Sequence, residues 1–102
     1  MSKDYSALKL TINPEKKRFE MDIDGHVAFI EFIINNYNIL FLTHTEVPVA
    51  LEGKGVGSAI VEKALRYMKE HNYTLAPLCS FVAKYVTKHP EWHSFLAKGY
   101  HV

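Results

Sequence analysis

The stretch EVPVALEGKGVGSAIVEKAL, residues 46–65, places Gly53, Gly55 and Gly57 within five positions at the mouth of a patterned helix. Beyond the glycines, Val56, Ala59, Ile60, Ala64, Tyr67 and Met68 recur at three- and four-residue steps. Glu62, Arg66 and Glu70 fall at i, i+4 on the other side, so the pattern predicts a helix from Val56 to about Glu70. His71-Asn72 closes it. Pro48 cannot donate to a ladder and ends whatever strand precedes it. The first turn of a helix leaves backbone N–H groups without partners, and with the positive end of the dipole they favour an anion. Glycine lets a bulky phosphate come close to such a backbone. The same glycines would also serve a tight strand-to-helix turn that holds nothing.

Upstream of this loop the chain reads as strands. LKLTI (8–12) and RFEMDI (18–23) alternate around the turn signal Asn13-Pro14-Glu15-Lys16, which predicts a β-hairpin. Asp24-Gly25 turns the chain into HVAFIEFII (26–34), apolar on both faces apart from His26 and Glu31, as expected of a strand covered on two sides. Asn35-Asn36-Tyr37-Asn38 leads to ILFLTHTEV (39–47). Downstream, TLAPLCS (74–80) reads as a returning strand with Pro77 inside it, an edge or a distorted ladder. Short helices are predicted around 81–88 and from Pro90 through EWHSFLAK. The fold class is therefore α+β: an antiparallel meander of about four strands, a glycine loop, a helix, a returning strand and C-terminal short helices.

Composition narrows the function classes. The chain has 102 residues, 48% apolar and 23% charged, and is expected to form a single domain over 1–102 with one core. Net charge is +1 and the basic residues are scattered, with Lys16-Lys17-Arg18 the nearest approach to a cluster. Neither nucleic acid nor anionic membrane is expected as a partner. No apolar run approaches the roughly 18 residues that a spanning helix needs, and MSKDYSALKL carries charges where a signal peptide would be apolar. Cys79 is the single cysteine, so no intrachain disulfide can form and a reducing cytoplasm is the expected location.

Two phosphate motifs fail on the loop. Walker A requires a lysine followed by Ser or Thr after its last glycine, whereas Gly57 is followed by Ser58 and Ala59. The dinucleotide fingerprint requires G-x-G-x-x-G after a parallel strand, whereas the spacing here is G-x-G-x-G after a meander.

A third motif fits. Glu52-Gly53-Lys54-Gly55-Val56-Gly57 resembles the Gln/Arg-x-x-Gly-x-Gly/Ala loop of the GNAT superfamily of acetyl-CoA-dependent N-acetyltransferases, with Gly55 and Gly57 at the small positions. The order of elements is similar to that fold. HTEVP (44–48), the GKGVG loop, PLCSFV (77–82) and HPEW (89–92) resemble its minimal Yjdj-type branch, which lacks the N-terminal helices and C-terminal strands of full-sized members. The resemblance runs from about Leu8 to Trp92. It implies transfer of an acetyl group from acetyl-CoA to a primary amine of unstated identity, by a monomer, without metal. The other function class it leaves open is a non-catalytic coenzyme A-binding module. It further implies coenzyme contacts from Thr45 and Val47 on the strand and from Glu52, Gly53, Lys54, Gly55, Val56, Gly57 and Ser58 on the loop. Glu52 stands where Gln or Arg is usual. The family's contacts there are mostly backbone N–H groups, and Lys54 partly offsets the charge.

Strand alternation sets His44 and Glu46 on one face and Thr43, Thr45 and Val47 on the other. Acetyl transfer to an ammonium needs a base, and both His44 and Glu46 are candidates, imidazole because its unperturbed pKa lies near neutrality. Cys79 reads as a small apolar residue on composition alone. The resemblance instead implies a place at the active site, as nucleophile or pocket wall. Tyr85 is offered by the resemblance as the acid for the leaving thiolate, although the altered helix around it favours a packing role. His89 and His93 lie four apart, but Pro90 sets His89 at or before a helix start and no third ligand is evident, so no metal is expected. Trp92 reads as a packing anchor.

Overall fold

The structure, a computed structural model, describes Tyr5 and residues 7–102. Its strands are β1 (Thr11–Asn13), β2 (Arg18–Ile23), β3 (His26–Ile34), β4 (Ile39–Glu46) and β5 (Thr74–Pro77), and its helices α1 (Val56–Glu70) and α2 (Ser80–Lys88). Single 3-10 segments cover Val49–Leu51 and Pro90–Phe95. The five strands form one sheet in the order β1-β2-β3-β4-β5. The first four pair antiparallel, and β5 returns parallel to β4 after the α1 crossover. This is the α+β meander, loop, helix and returning strand that the sequence predicts.

Local chemistry sets the turns. Asp24 and Gly25 both have positive φ, the geometry of a two-residue hairpin, and the Gly25 N–H donates to Asp22 Oδ1 at 2.9 Å. At the next reversal Asn35 Oδ1 accepts from the N–H groups of Tyr37 and Ile39, both at 2.9 Å. One face of the sheet buries Phe19, Met21, Ala28, Ile30, Leu40 and Leu42 in the same core as Ile60, Val61, Ala64, Leu65 and Met68 of α1. Each large side chain among these contributes roughly 1.5–3 kcal/mol, and each alanine less. α2 lies beside α1, burying Val82, Tyr85 and Val86.

Four expectations change. The first strand is Thr11–Asn13, not 8–12, because Leu8 and Leu10 pack against the core rather than entering the ladder. The returning strand ends at Pro77, which has no N–H. The Leu78 N–H turns back to the Ala76 carbonyl at 3.0 Å, and Cys79 becomes the residue that opens α2. The short helix opened by Pro90 is of the 3-10 kind and ends at Phe95 rather than running on through Lys98. β3 is buried on one face, since α1 packs on its Ala28, Ile30 and Phe32 side, while Val27 and Ile33 stay exposed.

Candidate functional site

The site grows from the irregular end of β4. Glu31 pairs with His44 but Phe32 pairs with Leu42, so Thr43 is an extra residue bulged out of register. Its hydroxyl donates to the Glu31 carbonyl at 3.3 Å. Unbroken alternation from the buried Leu40 and Leu42 would drive His44 and Glu46 into the core. The bulge reverses the parity. His44 pairs beside Glu31 and Glu46 beside Phe29 on the open face, while Thr45, opposite buried Ile30, turns to the α1 side. His44 Nε2 meets Glu46 Oε2 at 2.6 Å, with 52% and 55% of the side chains exposed.

β4 continues to Glu46, yet its ladder with β5 stops at Leu42–Pro77. Beyond that point the Cys79 N–H donates to the Leu42 carbonyl at 2.9 Å. Across the opening splay, Cys79 Sγ hydrogen-bonds Thr45 Oγ1 at 3.4 Å. Partial burial raises the thiol's pKa, but the Thr45 hydroxyl and the backbone N–H groups of Val82 and Phe81 outweigh it and hold the thiol below its ordinary value. The sulfur makes no full capping hydrogen bond to α2. The N–H dipoles of the first turn act on it through space.

The glycine loop lies at the same end. Gly53 and Gly55 have φ of 75° and 78°, left-handed values that a side chain would strain, and no atom stands within 4 Å of where their Cβ would be. Gly55 precedes α1 with no side-chain cap, and no acidic residue occupies the first turn. A hollow of about 260 Å³ in front of it is lined by Val47, Leu51, Glu52, Gly53, Gly55, Val56, Gly57, Ser58 and Phe81. Open, uncapped N–H donors beside free space fit a phosphate group. Gly57 answers a different demand, since a Cβ there would lie 2.5 Å from Cζ of Phe81. Lys54 and Glu52 are exposed on the loop.

The structure thus brings Thr45, Val47, Cys79 and the loop 52–58 to one end of α1, and puts His44 and Glu46 on the sheet's other face at the same splay. Two residues escaped sequence reasoning. Tyr5 is buried and its hydroxyl donates to the Lys54 carbonyl at 3.1 Å, bracing the loop from a position remote in sequence. Phe81 lines the loop hollow; only the missing Cβ of Gly57 hinted at a close neighbour.

Other candidates have different employment. The Tyr85 hydroxyl donates to Glu62 Oε1 at 3.5 Å, and burial with the nearby charges of Glu62 and Glu91 pushes its pKa up to about 12. Its ring stacks on His89, which is the packing role. His89 Nδ1 and His93 Nε2 donate to the Tyr85 and Val86 carbonyls at 2.7 and 3.0 Å, closing the end of α2. Among the described residues no group of three His, Cys, Asp or Glu side chains is placed to hold a metal ion. No helix among them is long and apolar enough to cross a membrane.

The family model described as GCN5-related N-acetyl-transferase matches residues 18–95, from the start of β2 to the end of the last 3-10 turn. The chain belongs to the GCN5-related N-acetyltransferase family. Relatives in this family include Protein NATD1 of Gallus gallus, 35% identical over 80 residues (74% of this chain, 71% of the relative). Protein NATD1 of Mus musculus is 28% identical over 80 residues, with the same coverage, 74% and 71%. The solution structure of a GCN5-like protein from Staphylococcus aureus superposes with a TM-score of 0.68 at 22% identity, covering 94% of each chain. That likeness concerns the acetyltransferase fold. The match begins at β2, so β1 and the bracing Tyr5 lie outside the matched residues.

Proposed function

We propose that this family member is an acetyl-CoA-dependent N-acetyltransferase, a cytoplasmic monomer built as one domain over residues 1–102, acting on a primary amine. One observation carries the reading: an uncapped α1 N-terminus behind two left-handed glycines opens beside the β4/β5 splay that holds Thr45 and Cys79. In this reading the backbone N–H groups of loop 52–57 and Ser58 hold the pyrophosphate of coenzyme A, with Lys54 adding a cation against the opposing charge of Glu52. The arm carrying the thioester follows Val47 and Thr45 into the splay. The acceptor approaches from the open face, where the His44–Glu46 pair takes one proton from its ammonium. The free nitrogen lone pair then adds to the thioester carbonyl carbon, and the C–S bond breaks. The leaving thiolate takes the second nitrogen proton, giving an amide, free coenzyme A and one proton passed to solvent.

Calorimetry with acetyl-CoA, followed by turnover on a panel of amines read by mass spectrometry, tests this. Stoichiometric binding with acetylated product supports it. Binding without turnover across the panel would leave a coenzyme A-binding module, and no binding would end the reading.

A further inference from the structure

No run of acidic residues marks an acceptor site in the sequence, yet the sheet brings an aromatic ring and carboxylates together from separate strands. On the open face, register sets Glu20 opposite Phe29 and Phe29 opposite Glu46, so an aromatic ring stands between two carboxylates. That ring already carries a cation, the Arg18 guanidinium, whose carbon lies 3.9 Å from the ring centroid. Beyond the ring, Arg18 is weakly paired. Its ion pair with Glu20 is 3.7 Å long, and its buried Nε has no hydrogen-bond partner. The neighbouring row is Arg18, Glu31 and His44, and the Phe29 and His44 rings are 6.3 Å apart between centroids. With Asp22 one step along β2, the face carries more carboxylates than cations.

We propose that Phe29, Glu20 and Glu46 seat a second ammonium group of the acceptor, which is therefore a small linear diamine or polyamine, and that Arg18 is the tethered cation it displaces. This rests on the acetyltransfer reading and names the acceptor class for it. A cation over the ring gains the attraction of the π-face and of both flanking carboxylates. A monoamine can place its one nitrogen over the ring or beside His44 but not both, so it gains only one of the two contacts. The 6.3 Å between the rings suits two nitrogens joined by a short methylene chain. Arg18 competes for the seat, so its presence selects against weakly held monocations.

The test titrates 1,4-diaminobutane, spermidine and n-butylamine into isotopically labelled protein, without and then with acetyl-CoA, following backbone resonances. The diamine is expected to bind more tightly than n-butylamine, with the largest perturbations at Glu20, Phe29 and Glu46. Arg18→Ala is expected to tighten the diamine roughly two- to fivefold, and Phe29→Leu or Glu20→Gln to loosen it by a similar factor. Equal affinity for diamine and monoamine in both wild type and Arg18→Ala, or perturbations confined to another surface, would overturn the proposal. Because the first titration needs no coenzyme, failure of acetyl-CoA binding counts against the acetyltransfer reading alone. Turnover of monoamines with no preference for the diamines counts against the cation seat alone.

Discussion

Cys79 Sγ and Thr45 Oγ1 stand 3.4 Å apart across the point where β4 and β5 cease to pair. The thiol can donate to the hydroxyl, but once ionised it can only accept from it, so Thr45 favours the thiolate. With the pKa held below its ordinary value, the thiolate appears at lower pH in the folded chain than in the unfolded one. Alkylation rate against pH should therefore show a lower midpoint for native protein than for the same chain in urea, and Thr45→Val should raise it. Coincident native and unfolded midpoints would contradict this. The linked stability is present above the free thiol's pKa, about 8.5, and is lost as pH falls through the folded value.

Whether that thiolate takes part covalently is a separate matter. If it attacks the thioester, incubation with acetyl-CoA adds one acetyl group at Cys79, and Cys79→Ala loses both label and turnover. If Cys79 only lines the splay, Cys79→Ala keeps coenzyme binding and most activity, and direct transfer with the His44–Glu46 pair is the route. An intact mass spectrum decides, because the thioester adduct forms without the true acceptor.

The 2.6 Å contact between His44 and Glu46 sits on the exposed face, away from the glycine loop. His44→Gln should reduce kcat by about 10²–10⁴ while leaving the acetyl-CoA dissociation constant within twofold, as expected for loss of a general base. Glu46→Gln should act in the same direction by a smaller factor. A parallel loss of coenzyme affinity in His44→Gln would place His44 in binding instead.

The glycines separate into two kinds. Gly55→Val forces a β-branched residue to a φ of 78° at the open N-terminus of α1 and should weaken acetyl-CoA at least tenfold, about 1.4 kcal/mol or more. Gly57→Ala should act through packing, because its Cβ meets the Phe81 ring. Turning that ring costs roughly 1 kcal/mol. In a Phe81→Ala background the cost should vanish, and urea titrations of the four variants measure the coupling. An unchanged penalty in that background would remove Phe81 as its cause.

Tyr85 supplies a pH signature of the α1–α2 contact. Its folded pKa, about 12, lies above the ordinary phenol value near 10, so between these the unfolded chain loses its proton first. The stabilisation is whole below about pH 10 and declines as pH rises toward 12. Tyr85→Phe should be less sensitive to pH across the lower part of that window in thermal melts. An identical alkaline slope in both proteins would count against it.

Much of this architecture was legible in one dimension. Turns at Asp24-Gly25 and Asn35–Asn38, the three- and four-residue apolar spacing of α1, and Pro48 as a strand end are local effects of backbone conformation and side-chain period, which a sequence states directly. The glycine loop was legible for the same reason, since positive φ and a bare helix start are properties of a few consecutive residues. Which face of β4 lies open was not. The Thr43 bulge depends on how β4 registers against β3, and it alone turns His44 and Glu46 out while turning Thr45 toward Cys79. Tyr5 on Lys54, Phe81 against Gly57, and Phe29 between Glu20 and Glu46 are contacts between distant segments. Sequence determined which elements form; pairing register and the packing of α2 on α1 decided which side chains meet, because those depend on burying one shared core rather than on any residue's neighbours in the chain.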